Sequence, residues 1–152
     1  MFAQIAGPRP VVIDRMKDEV QRVYSTLLTR VHRRPKTASA DELPVFIGAI
    51  DLPVYKRDRS SSPSVRCNGG LHCHALVLLP PVTRLNGSLI DHFDCHQATY
   101  VRSAKSIERI HIRHVLNNHG HVVDYVLKTI LKGRLSYDEA MIVLPRARTE
   151  FN

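Results

Sequence analysis

The apolar positions of the chain change period as it advances. From Val11 to about Arg33, apolar residues recur at Val12, Met16, Val20, Val23, Leu27 and Val31, the spacing that lines one face of an α-helix, and Pro35 ends the run. Leu43 to Leu52 is a short apolar stretch that predicts a first strand, with Pro44 tolerable only at its start and Pro53 closing it. A second continuous run, His72 to Leu79, predicts a buried strand stopped by Pro80 and Pro81. Leu89 to Tyr100 predicts a short helix. Ser106 to Val115 alternates, with Ile110 and Ile112 on one side and Arg109, His111 and Arg113 on the other, which predicts a strand with one packed and one basic face. After the turn residues Asn117 to Gly120, Val122, Val123, Val126, Leu127, Ile130 and Leu131 return to helical spacing until Gly133. Ser136 is placed to cap a final helix reaching about Val143, with Asp138 and Glu139 in its first turn.

Strands mixed with helices in this order, without an internal repeat, predict an α+β fold with a small, palm-like antiparallel sheet flanked by helices. The 152 residues are expected to form one domain: an N-terminal helix within 1–36, a core over 45–133, and a C-terminal helix with a basic tail over 134–152. Hydrophobic residues at 43% and charged residues at 24% exclude general disorder. Cys67, Cys73 and Cys95 are odd in number and show no paired spacing, so a disulfide framework is not expected and a cytoplasmic location is. No signal peptide and no membrane-spanning run are seen.

Charge changes the picture more. A formal net charge of +8, from 22 Lys and Arg against 14 Asp and Glu, favours a polyanionic partner, with nucleic acid foremost, although a solvated basic surface also accounts for it. Candidate contacts are Arg57 and Arg59, in the polar, turn-rich loop Tyr55 to Ser64, and Arg109 and Arg113 on the alternating segment.

The candidate chemistry lies on two elements. His72 and His74 are one residue apart on a strand, so both imidazoles point to one face and can reach one metal ion; hydrogen-bonded strand histidines would look the same. Tyr125 and Lys128 are one helical turn apart, so the ammonium can favour phenolate, the nucleophilic form; a half-buried tyrosine beside a snorkelling lysine is the plainer account. A histidine-triad hydrolase would need a third histidine where Leu76 stands. A zinc module built from Cys67, His72, Cys73 and His74 would need consecutive strand residues to face the same way.

In order and spacing, Leu71-His72-Cys73-His74-Ala75 followed by Tyr125 and Lys128 on a helix resembles the HUH endonuclease superfamily, and within it the rolling-circle replication initiators. The resemblance covers roughly residues 45–133, with Phe46 to Leu52 where the first motif of those proteins stands. It implies that His72 and His74 bind Mg²⁺ or Mn²⁺, that Tyr125 attacks a phosphate of single-stranded DNA to give a 5′-phosphotyrosine and a free 3′-hydroxyl, and that Lys128 positions the phosphate or the metal.

Two departures qualify it. Ser60 to Gly70 contains no acid or histidine to supply the third ligand common in initiators; Asp51, His111 and His114 are the candidates, and Asp51 is taken as that ligand. There is also no Gly-rich phosphate loop and no room for a helicase domain, so a host helicase in trans is expected, and self-association into a homodimer is left open. Two other readings remain: a non-catalytic DNA-binding module, and a single-strand transposase of the same superfamily. The latter expects a polar ligand four residues beyond the tyrosine, where Thr129 stands.

Overall fold

The computed structural model describes residues 1–52, 67–101 and 106–146. Helix α1 (Arg9–Val31) begins with Pro10 in its first turn, where a missing N–H costs nothing and the fixed φ suits the helix. It buries Val12, Met16, Val20, Leu27 and Val31 as the spacing predicts, together with Ile13, Tyr24 and Leu28. Strands β1 (Val45–Asp51) and β2 (His72–Leu78) follow, then helices α2 (Leu89–Tyr100), α3 (His119–Leu131) and α4 (Tyr137–Ala140), and last strand β3 (Met141–Leu144). The strands form one antiparallel sheet in the order β2-β1-β3, so the fold is α+β with a small sheet flanked by helices.

The register sorts the sheet's side chains. Asp51 stands opposite His72, Ala49 opposite His74 and Ile50 opposite Cys73. Alternation therefore puts Asp51, His72 and His74 on one face and Phe46, Ile50 and Cys73 on the other. Helix α3 packs on the first face. Helix α1 covers the second, where the Tyr24 ring meets Phe46 edge-on at 6.5 Å and its hydroxyl donates to Pro44 O at 2.7 Å. The core gathers Met16, Ala49, Ile50, Ile142 and Leu144. A second cluster joins the end of α1 to α2 through Leu27, Val31, Leu89, Phe93 and Tyr100. Among the described residues no helix is long and apolar enough to cross a membrane.

Two expected elements take a different form. Ser106 to Val115 is not a strand: it carries one isolated bridge, Ile107 to Phe2, and is otherwise irregular. Its alternation is real but serves packing, because Ile110 and Ile112 sink among side chains of the core clusters instead of lining up beside a strand. The final helix stops at Ala140, and Met141–Leu144 becomes β3. Its alternating apolar residues find a partner in Phe46–Ala49, and Ile142 and Leu144 are almost fully buried there. The loop Tyr55 to Ser64, with Arg57 and Arg59, and the end of the basic tail lie outside the described residues.

Gly48 sets the spacing between β1 and β2. A Cβ at this position would stand 2.9 Å from His74 O, 2.9 Å from Ala75 Cβ and 2.8 Å from the Phe46 ring. Two of these neighbours belong to β2, so relief requires moving the strand that carries both histidines. Gly48→Ala is therefore expected to lower stability by about 1–3 kcal/mol, read as a shift of the urea midpoint; an unchanged midpoint would show that the strands can part freely.

Candidate metal centre

Asp51 ends β1 with its side chain 1% exposed, and the antiparallel register brings both histidines to it. His72 Nε2 lies 3.1 Å and His74 Nε2 3.6 Å from Asp51 Oδ2. One ligand atom from each residue lies within 4.8 Å of the others, so this buried Asp51–His72–His74 group could hold a metal ion. The donor set, one carboxylate and two imidazoles, suits a divalent cation. His74 Nε2 is buried without a hydrogen-bond partner among the described residues, which is the arrangement a ligand would complete. His72 Nδ1 lies 2.9 Å from Gly70 O; an Nδ1–H donating there fixes the ring and leaves Nε2 with its lone pair facing the carboxylate.

Helix α3 supplies the rest. Tyr125, Lys128 and Thr129 are three and four residues apart and share the face turned to the sheet. The Thr129 hydroxyl donates to Asp51 Oδ1 and accepts from Leu52 N at 3.3 Å, which holds the carboxylate plane. Lys128 Nζ meets Asp51 Oδ2 at 2.6 Å as an ion pair and lies 4.3 Å from the centre of the Tyr125 ring. That ring is tilted over His74 with centroids 4.7 Å apart, and Tyr125 is 46% exposed. The helix ends as the sequence expects: Gly133 adopts φ 61°, its N–H bonds to Ile130 O, and Arg134 N bonds to Thr129 O.

The electrostatics follow from burial. Desolvation pushes the Asp51 carboxyl up, but the bonds from Lys128 and Thr129 and the nearby His72 outweigh it, so its pKa is lowered and the group is an anion. Burial foremost, with His72 and Lys128 adding to it, pushes the His74 pKa down to about 4, so this imidazole is neutral at pH 7, the form that binds metals. Cys73 points to the opposite face into the core, where burial pushes its thiol up to about 12. It cannot join the histidines.

The structure thus places Asp51, His72, His74, Tyr125 and Lys128 together. The rival third ligands do not join them: His111 sits on the exposed irregular segment with its Nε2 accepting from Arg113 Nε at 2.9 Å, and His114 is exposed on the same segment. Arg109 and Arg113 are exposed there as well.

Two further residues shape the site. Thr129, which the sequence offers as a candidate ligand, is instead the carboxylate's support, and Asn68 has no counterpart among the sequence candidates. Asn68 begins the left-handed turn Asn68-Gly69-Gly70 that launches β2, with φ of 54°, 63° and 84°. Its side chain accepts from Ile5 N at 2.7 Å and donates to Ala3 O at 2.8 Å, so the chain's first residues clamp the entry to the histidine strand. The Asn-Gly-Gly triplet was the available signal. Compared with family models, curated proteins and solved structures, the chain finds no match.

Asp51→Asn keeps the shape and removes the charge, and is expected to weaken Mn²⁺ binding, read by calorimetry, by about tenfold or more. Thr129→Val should weaken it by about 10–100-fold through loss of support and lower stability by about 1–3 kcal/mol. Parent affinity in both variants would remove Asp51 from the ligand set.

Proposed function

We propose that the protein is a metal-dependent endonuclease for single-stranded DNA, in which Tyr125 is the nucleophile and Asp51, His72 and His74 hold Mg²⁺ or Mn²⁺. The observation that carries this reading is the half-exposed Tyr125 ring set against His74, beside a buried carboxylate–imidazole group. A strand of DNA can reach the hydroxyl there. The net charge of +8 supports a polyanionic substrate.

In the reaction, the Tyr125 oxygen attacks the scissile phosphorus and loses its proton to solvent. The bond from phosphorus to the 3′-oxygen breaks, and that oxygen takes up a proton and leaves as a 3′-hydroxyl. A 5′-phosphotyrosine remains, and the phosphodiester energy is kept for strand transfer. Asp51, His72 and His74 would hold a divalent cation, which when bound would offset the negative charge of the phosphoryl oxygens. Lys128 stands between Asp51 and the Tyr125 ring, where its ammonium would position the attacked phosphate. Asp51 in turn holds Lys128 in place. Such an activity serves rolling-circle replication or mobilisation of a mobile element, with a host helicase opening the duplex.

The test is incubation with circular single-stranded DNA and Mn²⁺, followed by denaturation and detection of nicked product and protein–DNA adduct. Tyr125→Phe should give neither while binding DNA within about twofold of the parent, since one exposed hydroxyl is lost. His72→Ala combined with His74→Ala should remove both activity and its dependence on the metal. Tight binding without cleavage by the parent, across metals and sequences, would leave the non-catalytic DNA-binding module as the better reading.

A further inference from the structure

On the far side of the sheet from Tyr125, the end of α1, the residues before α2 and the side of α2 line a half-open cavity of about 290 Å³. Arg30 reaches it from α1 and Arg84 from the connection, whose N–H bonds to Val31 O at 3.0 Å. Neither guanidinium has a carboxylate or hydrogen-bond partner among the described residues. His92 and His96 form the wall. Their rings stack at 4.8 Å, His92 Nε2 is bonded to the buried Tyr100 hydroxyl at 2.8 Å, and His96 Nδ1 lies 3.0 Å from His92 O. These bonds lock both rings and leave His96 Nε2 open to a ligand.

Asp91 is the one carboxylate among the described residues that line the cavity. Its Oδ2 is already taken by Ser88, accepting from N at 3.0 Å and Oγ at 2.6 Å in the cap of α2. It does not neutralise the arginines. Two unpaired guanidiniums over a rigid imidazole wall form a concave cationic site whose natural complement is a tetrahedral oxyanion, and guanidinium geometry matches phosphate oxygens in pairs.

We propose that this cavity is a phosphate-binding site, separate from the metal centre, held by Arg30, Arg84 and His96. The phosphate comes either from a nucleic-acid strand or from a free phosphomonoester. The site does not require cleavage at Tyr125.

The experiment titrates the full-length Tyr125→Phe protein by ¹H–¹⁵N NMR, first with inorganic phosphate and thymidine 5′-monophosphate, then with a single-stranded oligonucleotide. Saturable shifts confined to the amides around Arg84 and His96, lost in the Arg30→Ala/Arg84→Ala double variant and partly kept in Arg84→Lys, are expected. If the source is a strand, the double variant should also flatten the log–log salt dependence of oligonucleotide affinity by about 1.4, or about 0.7 per arginine. Lost phosphate shifts with unchanged oligonucleotide affinity would assign the site to a free phosphomonoester. Absence of shifts at these amides with every probe would overturn the proposal, and would leave the proposed reaction at Tyr125 untouched, because that rests on the adduct assay.

Discussion

A carboxylate sealed from water cannot remain charged unless other groups supply what water would have supplied. Asp51 is in that position, with a side chain 1% exposed at the end of the central strand. Lys128 provides the countercharge, Thr129 a hydroxyl donor, and the histidines of β2 stand on the remaining side. The partners come from two elements, α3 and β2, so the demands of one anion fix how α3 lies across the sheet and which face of β2 looks inward. Moving α3 by part of a turn would leave the charge unanswered. Removing one partner of such a buried pair costs far more than the pair adds as an ion pair.

The sheet and the helices hold that anion by complementary means. The register of β1 and β2 makes Asp51 and His72 direct neighbours, and Gly48 allows the strands to close. The turn at Asn68, tied down by residues 3–5, delivers His72 at the right place, and its ring is steadied by Gly70 O. Rigidity is therefore concentrated behind the imidazoles, and exposure in front of them at Tyr125. That division is the one the proposed function would need, with the imidazoles held in place and the tyrosine accessible.

Much of this was legible in the chain. The periods of α1, α2 and α3 and the apolar run of β2 are local properties, and so are the facts that His72 and His74 share a face and that Tyr125 and Lys128 share another. The choice of Asp51 over His111 and His114 was not local, because it depends on a register between strands separated by a long connection. Thr129 gave no sign of its role for the same reason: its partner lies 78 residues away. Met141–Leu144 is too short for its alternation to outweigh a preceding helix cap, and it becomes a strand only because β1 offers an edge. Along 106–115 the alternation was correct about burial and misleading about hydrogen bonding, since apolar residues can alternate into a cleft between helices as well as onto a sheet.

The wide separation between Asp51 and the helix that balances it also bears on the order in which the molecule is made. A ribosome releases the carboxylate and both imidazoles long before Lys128 and Thr129 emerge. Until then the growing chain holds an acidic group with nothing to offset its burial, which keeps that end of β1 open to water and the sheet loosely closed. Arrival of α3 supplies a cation, a hydroxyl and the tyrosine in one step. A nascent chain therefore acquires Tyr125 at the same moment as the groups that answer the buried charge, and a product broken off earlier has neither.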